Sequence, residues 1–324
     1  MNIEMKNKAI SETSILSALV AILYVVSTYM PFLPMVSFLS AIPFAYIGIK
    51  HGEKYFASML FVTMLIVFIL SGMLSAGALL LLGGVSGFTL MTLIKLKKSR
   101  SISTAGLVLA FIISYSLIFV LFQYVYSINI IEAFEISALS MRDNMILSVE
   151  NLNLASGSLE MDNLKQFYTD QFEVIIFTVK TILPYLIVFY STLSAVLLMA
   201  VTYYVFGRAG VELPKSEKYS VFRYEPHILW GTTIIAILSY ITINIKFVNS
   251  ITMAYNLFFI VQLLFAVQGL SIVIFLMEKR KLSKTSKVLF LLLLFFLRPM
   301  MILAVLGWVD AIFNFRRIGV NVES

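Results

Sequence analysis

The sequence predicts an all-α protein built as a polytopic bundle of transmembrane helices. Hydrophobic side chains make up 60% of the 324 residues and charged side chains only 13%, and the mean hydropathy is +0.96. Soluble domains are only about half apolar, so this composition indicates a membrane protein. Apolar runs of about 20 residues, long enough to cross a bilayer as a helix, recur along most of the chain.

Eight apolar segments satisfy this length rule, and a ninth lies near the C-terminal end, so we expect about eight or nine spans. The first segment is followed by no small-residue cleavage site, which favours a retained helix over a signal peptide. The segments divide the chain into a six-helix membrane bundle, 1–206, and C-terminal membrane helices, 207–324. The predicted spans are 10–30, 31–49, 54–72, 73–94, 103–127, 180–206, 227–246 and 248–277, with the ninth at 288–309.

Basic residues occur in short clusters between the apolar segments. All the clusters fall on one side of the membrane if the N-terminus is cytoplasmic, as the positive-inside rule describes. The net charge of +7 therefore reflects topology, and we expect the lipid bilayer rather than nucleic acid as the partner. The clusters are Lys6 and Lys8; Lys50 and Lys54; Lys95, Lys97, Lys98 and Arg100; Arg208, Lys215, Lys218 and Arg223; and Lys279, Arg280, Lys281, Lys284 and Lys287.

One long connection, about 128–172, is acidic and is predicted to lie outside. Apolar residues recur along it every three or four positions, on both sides of the stretch "ASGS" from Ala155 to Ser158. This pattern predicts two amphipathic helices that form an external hairpin. The hairpin is either a lid over the bundle or a passive structural element.

The sequence offers no visible catalytic apparatus and no metal-ligand cluster. Cysteine is absent, and both histidines, His51 and His227, are predicted at the edges of inner loops. The stretch "GVSG" that ends at Gly87 matches the signature of rhomboid intramembrane proteases, but that chemistry needs a histidine within reach of Ser86. We instead expect Gly83 and Gly87 to form a helix-packing face, with Ser86 bonding back to its own turn. The expectation is a protein that is not an enzyme and uses no cofactor.

The first helix carries two pairs of small residues at a spacing of four. They are Ser14 with Ala18 and Ser17 with Ala21, in the stretch "SILSALVA". Small residues at this spacing make a groove into which another helix can pack. We predict a docking face, and the docked helix belongs either to this chain or to a partner protein.

The stretch "YSVFRYEPHILWG", from Tyr219 to Gly231, combines aromatic and charged residues beside a predicted span. Aromatic side chains concentrate at membrane interfaces, which predicts an interfacial belt with Trp230 at headgroup depth. The alternative is a regulatory or partner contact.

A single arginine, Arg298, stands beside Pro299 within the apolar stretch "LFFLRPMMILAVLGWVD". Its position predicts a location near the bilayer midplane, where a charged side chain must face protein or water and have a partner. Carbonyls freed by the proline, together with Asn256, Gln262 or Gln268, are one possible set of partners. The other is an external anion such as a carboxylate, a phosphate or a lipid headgroup. Arg298 and these three amides are the candidate ligand-binding residues.

Three stretches carry a resemblance to a known family. They are "ETSILSALVAILYVVSTYMPFLP" near the start, "PFAYIGIKHG" at the end of the second span, and "RPMMILAVLGWVDAIFNFRR" near the end. Over nearly its whole length the chain resembles the YybS-like family of predicted multipass bacterial membrane proteins, a domain of unknown function. More distantly, residues 10–206 resemble the six-helix S components of energy-coupling-factor vitamin transporters.

The second resemblance implies a function and a docking role. In S components a small-residue face on the first helix docks onto the coupling subunit, and Ser14, Ala18, Ser17 and Ala21 occupy the matching positions. It also implies a small-solute pocket within the first six helices, beneath the external hairpin. We therefore expect a small-solute-binding or transport-related protein of the bacterial cell membrane. The alternative is a structural or regulatory scaffold that binds envelope or signalling proteins.

Overall fold

The computed structural model describes residues 3–29, 33–127, 129–152, 158–214, 218–244, 249–297, 300–316 and 318, and within these ranges it contains helices and no strand. Two short 3₁₀ segments, Leu33–Ser40 and Tyr219–Val221, and one π-helical segment, Leu80–Val85, accompany the α-helices. The α-helices are α1 (Ile3–Tyr29), α2 (Ala41–His51), α3 (Glu53–Leu79), α4 (Ser86–Lys95), α5 (Arg100–Tyr126), α6 (Ile130–Leu152), α7 (Ser158–Arg208), α8 (Pro226–Asn244), α9 (Ser250–Lys279), α10 (Lys284–Leu297) and α11 (Met300–Phe313).

Within the described ranges, five helical stretches are long and apolar enough to cross a membrane, and two apolar helices, Trp230–Ile241 and Met300–Phe313, are shorter. The predicted class, an all-α protein with several helices long and apolar enough to cross a membrane, is therefore confirmed for the described residues. The count of eight or nine spans stays a prediction. The five long stretches are Glu4–Ser27, Glu53–Lys95, Arg100–Val125, Asp162–Arg208 and Ser250–Lys279.

The helical stretch Glu53–Lys95 contains a break at Gly72. This residue has φ 83° and ψ 177°, a conformation that only glycine adopts without strain. The boundary between the predicted spans 54–72 and 73–94 falls at this residue. The whole stretch of 43 residues corresponds to about 65 Å of helix, roughly twice the thickness of a bilayer core.

Two helices occupy the segment of the predicted hairpin, and its external location stays a prediction. Its first helix is α6, but its second helix is not separate, because α7 continues from Ser158 through the sixth predicted span to Arg208. Phe134 and Ala138 of α6 pack against Phe172 of α7, and Lys180 forms an ion pair with Glu135 at 2.5 Å. The second hairpin helix and the sixth predicted span are one continuous helix, because neither glycine nor proline occurs between Ser158 and Pro184.

The described chain forms two compact units. The first contains Met1–Lys180 and Tyr190–Lys215. Its core draws buried side chains from α1 to α5 and from the C-terminal half of α7, with Phe44, Phe111 and Phe206 fully enclosed. Gly83 and Gly87 lie directly against the start of α2, where an added Cβ on Gly87 would stand 3.0 Å from the carbonyl oxygen of Ala41.

The second unit contains Thr181–Phe189 and Ser216–Ser324. Here α9 and α11 cross at two glycines, so closely that an added Cβ on Gly269 would stand 1.9 Å from the carbonyl oxygen of Leu303. An added Cβ on Gly307 would stand 1.9 Å from the carbonyl oxygen of Phe265. The two backbones are therefore in direct contact, as at other small-residue helix crossings in membranes.

Candidate functional site

A cavity of about 670 Å³ lies at the lysine-rich end of the first unit, and we name it the basic cavity. The ends of three helices surround it, because the chain leaves α2, α4 and α7 there. Its volume is within the range of small-molecule pockets. The lining residues are Tyr46, Ile49, Lys50, Ile94, Lys95, Lys97, Ala209, Gly210, Val211, Glu212, Leu213 and Pro214.

Lys50 is held in position in the wall of the basic cavity. Its ammonium contacts both carboxylate oxygens of Glu12, at 3.0 and 2.8 Å, and donates to the hydroxyl of Tyr46 at 2.9 Å. The hydrogen bond to Glu12 and the one to Tyr46 raise the pKa of Lys50. Glu12 also contacts Nε2 of His51 at 2.8 Å, so one carboxylate of α1 joins the last turn of α2.

The other two lysines are less constrained. The ammonium of Lys95 lies 3.6 Å from a carboxylate oxygen of Glu53, whose side chain is 70% exposed. Lys97 has φ 51° and follows α4 in a Schellman motif, in which its N–H donates to Ile94 and the N–H of Lys98 donates to Leu93. Lys97 forms no ion pair with a described residue.

The predicted ligand-binding residue Asn256 lies in the second unit, beside the proline of α7. Its amide nitrogen donates to the carbonyl oxygens of Thr181 and Thr252, each at 2.7 Å, and its amide oxygen accepts from the N–H of Tyr185 at 2.8 Å. In a regular helix the N–H of Tyr185 and the carbonyl of Thr181 bond to each other. Asn256 therefore bridges the turn that Pro184 disturbs.

We expect Asn256→Leu to destabilise the protein by about 1–3 kcal/mol, the usual effect of leaving buried backbone groups without a partner. Thermal unfolding of the purified protein in detergent measures the change. Asn144→Leu, at an exposed position of α6, is the matched control and should unfold like the parent. Equal unfolding temperatures for the two variants would contradict the bridging role.

Gln268, a second predicted ligand-binding residue, is fully buried within a polar network. Its amide nitrogen donates to Oδ2 of Asp310 at 3.0 Å, and its amide oxygen accepts from the N–H of Tyr224 at 3.1 Å. Asp310 forms an ion pair with Arg316 at 2.8 Å, and the two side chains are 1% and 2% exposed. Arg316 also donates to the carbonyls of Ser220 and Phe222 and to the hydroxyl of Ser271.

The juxtamembrane aromatic stretch divides into a half-buried part and an exposed part. Tyr219 and Tyr224 are half-buried, and desolvation raises the pKa of Tyr219 above its usual value and that of Tyr224 to about 12. The Tyr219 hydroxyl donates to the carbonyl of Val267 at 2.6 Å. Trp230, by contrast, is 67% exposed.

The remaining predicted ligand-binding residues have fewer described contacts. Gln262 is half-buried on α9. Arg298 lies outside the described residues. The ligand-binding role of Arg298 and of the three amides stays a prediction, although Asn256 and Gln268 already bond to protein groups through both amide atoms.

The predicted docking face of the first helix separates into two surfaces. Ser17 and Ala21 are each 1% exposed, and Ala21 contributes to the core of the first unit. Ser14 and Ala18 are exposed. One small-residue pair therefore packs within this chain, and the other pair faces outward.

The serine of the protease-like motif is fully buried, and its hydroxyl has no hydrogen-bond partner among the described residues. The expected bond from Ser86 to its own turn is therefore absent. His51 contacts Glu12, and His227 lies 3.3 Å from Glu225 at an exposed position. A hydrogen-bonded pair of Ser86 with either histidine is not present in the described part of the chain.

Sequence reasoning missed two features of these sites. One is Glu12, which lies nine residues into α1 and pairs with the end of α2. A lone carboxylate within a predicted span was the available signal, because such a group needs a partner. The other is the pair of Gly269 and Gly307, which belong to different helices and so form no short motif.

Comparison with known proteins supports the assignment of this chain to the membrane proteins. Residues 18–311 match the model of a family described as a predicted membrane protein, DUF2232. No curated protein and no solved structure gives a significant match.

Proposed function

Because the chain belongs to the predicted membrane protein family DUF2232, we propose that it is a multipass membrane protein that binds a small solute or helps to move it. The observation that carries this proposal is the basic cavity, a space of about 670 Å³ with polar and apolar walls at one end of the first unit. Pockets of this size with a few convergent polar groups are typical of small-molecule sites.

We also propose how the chain crosses the membrane and which part of transport it performs. The chain crosses the cell membrane eight or nine times with a cytoplasmic N-terminus, which would place the lysine-rich end inside. It performs no chemistry of its own, and any ATP hydrolysis comes from partner subunits, as the resemblance to S components implies. The external hairpin then lies at the opposite end of the bundle from the basic cavity, so the proposed site differs from the pocket beneath the hairpin that the resemblance to S components implied.

A scaffold for envelope or signalling proteins is the second candidate function. The outward-facing pair Ser14 and Ala18 favours it, because small residues on an exposed helix face let another helix approach closely. A scaffold needs no ligand in the basic cavity. The presence or absence of a bound small molecule therefore distinguishes the two candidate functions.

Native mass spectrometry of the mildly solubilised protein tests the proposal, because it detects ligands and partner proteins together. We expect the parent to retain a small molecule and Ala209→Trp, which fills the basic cavity, to lose it. Gly207→Trp is the matched control, since an added Cβ at Gly207 meets no atom within 4 Å and the residue does not line the cavity. A parent that carries only a bound protein would support the scaffold function instead.

A further inference from the structure

We propose that the basic cavity takes a phosphate-bearing anion, either a soluble phosphate monoester or the headgroup of an anionic phospholipid. This inference rests on the proposed function, since it names the chemical class of the ligand at the same site.

The charge of the wall favours an anion. Three lysines, Lys50, Lys95 and Lys97, are lining residues of the cavity, while Glu212 is the one acidic residue among its described lining residues. The lysines come from two segments of the chain: Lys50 belongs to the last turn of α2, and Lys95 and Lys97 lie at the end of α4. Phosphate oxygens accept several charge-assisted hydrogen bonds at once, which suits such an arrangement.

The lysines differ in how far their charge is already neutralised. Glu12 neutralises Lys50, which therefore acts as a fixed part of the wall. Glu53 lies 3.6 Å from Lys95 and its side chain is 70% exposed, so water and salt screen that pair. Lys97, which has no ion pair with a described residue, offers the most available charge.

Helix ends explain part of this pattern but not all of it. Cations are favoured near a helix C-terminus because the helix dipole is negative there, and this accounts for Lys50 and Lys95 in the last turns of α2 and α4. Lys97 lies beyond the last turn, in the left-handed position of its Schellman motif. A substitution of Lys97 therefore best distinguishes an anion site from a set of lysines that only compensate helix dipoles.

A matched pair of variants tests the inference without disturbing the fold. Lys281 follows α9 in the same motif, with φ 53° and the same two backbone hydrogen bonds, but it does not line the basic cavity. Glycine is the preferred residue at this position of the motif. Lys97→Gly and Lys281→Gly should therefore both fold, with similar small gains in unfolding temperature.

The measurement is thermal unfolding of the full-length protein in detergent, at constant ionic strength, with two probes. The probes are glycerol 3-phosphate in lipid-free micelles and phosphatidylglycerol in mixed micelles, with phosphatidylcholine as the neutral lipid. We expect one probe to stabilise the parent and Lys281→Gly equally. Lys97→Gly should bind that probe at least about tenfold more weakly, a loss of roughly 1.4 kcal/mol.

The two arms identify the source of the phosphate, and two results overturn the inference. A response to glycerol 3-phosphate indicates a soluble ligand, and a response to phosphatidylglycerol alone indicates a lipid headgroup. The inference is overturned if neither probe stabilises the parent, or if Lys97→Gly responds as Lys281→Gly does. Native mass spectrometry then distinguishes two cases. If it shows a ligand without phosphorus that Ala209→Trp loses, the proposed function stands and only the ligand class is wrong. If it shows no small molecule, the proposed function and the ligand class both fail.

Discussion

Gly307→Ala is expected to destabilise the second unit by about 3 kcal/mol or more, at the upper end of the usual effect of overpacking. The added Cβ would stand 1.9 Å from the carbonyl oxygen of Phe265 and 2.8 Å from the backbone nitrogen of Gly269. Because both obstacles are backbone atoms, no side-chain rotation can relieve the clash, and the two helices must move apart. Gly269→Ala should have an effect of similar size, since its Cβ would meet the carbonyl of Leu303 at 1.9 Å.

Gly231→Ala is the matched control for these variants. Gly231 lies in α8 of the same unit, and an added Cβ there meets no atom within 4 Å. Replacing a helical glycine by alanine then gains roughly 0.5–1 kcal/mol through helix propensity. Thermal unfolding of the four proteins in detergent separates the two effects, and an unfolding temperature for Gly307→Ala at or above that of Gly231→Ala would disprove the close crossing.

Arg316→Met should destabilise the protein by about 3–5 kcal/mol, the usual loss when one member of a buried ion pair is removed. The variant leaves the carboxylate of Asp310 buried, with Gln268 as its remaining hydrogen-bond donor among the described residues. It also removes the donors to the carbonyls of Ser220 and Phe222. The juxtamembrane stretch should therefore loosen together with the C-terminal end of α11, which hydrogen exchange would show as faster exchange at both places.

A double-mutant cycle shows whether the pair itself is responsible. Asp310→Leu combined with Arg316→Met removes both charges, so the double variant should be more stable than the sum of the two single losses implies. Lys165→Met provides the control, because the Lys165–Glu150 pair is about 40% exposed on both sides, at 41% and 38%, and exposed pairs contribute little. Additive losses in the cycle would mean that Asp310 and Arg316 act separately.

Local sequence patterns determined the class of the protein and several of its boundaries. The length and spacing of the apolar runs predicted an all-α membrane protein, because a helix that satisfies its own backbone is the structure an apolar run adopts in lipid. The boundary predicted between spans 54–72 and 73–94 coincides with Gly72, whose positive φ is a conformation that glycine adopts readily. The span count, the membrane orientation and the division of the chain near 206 stay predictions.

The tertiary structure alone decided which polar residues meet. Asp310 and Arg316 are six positions apart, but they become a buried network only because Gln268 and the carbonyls near Ser220 converge on them from other segments. Likewise, Ser17 and Ser14 look alike in sequence, and their difference in burial depends on which side of α1 faces the core. Sequence spacing fixes which residues share a helix face, whereas packing fixes what that face touches. The lysines of the basic cavity, which the sequence showed only as a topological signal, became a candidate anion site because three helix ends meet around one space.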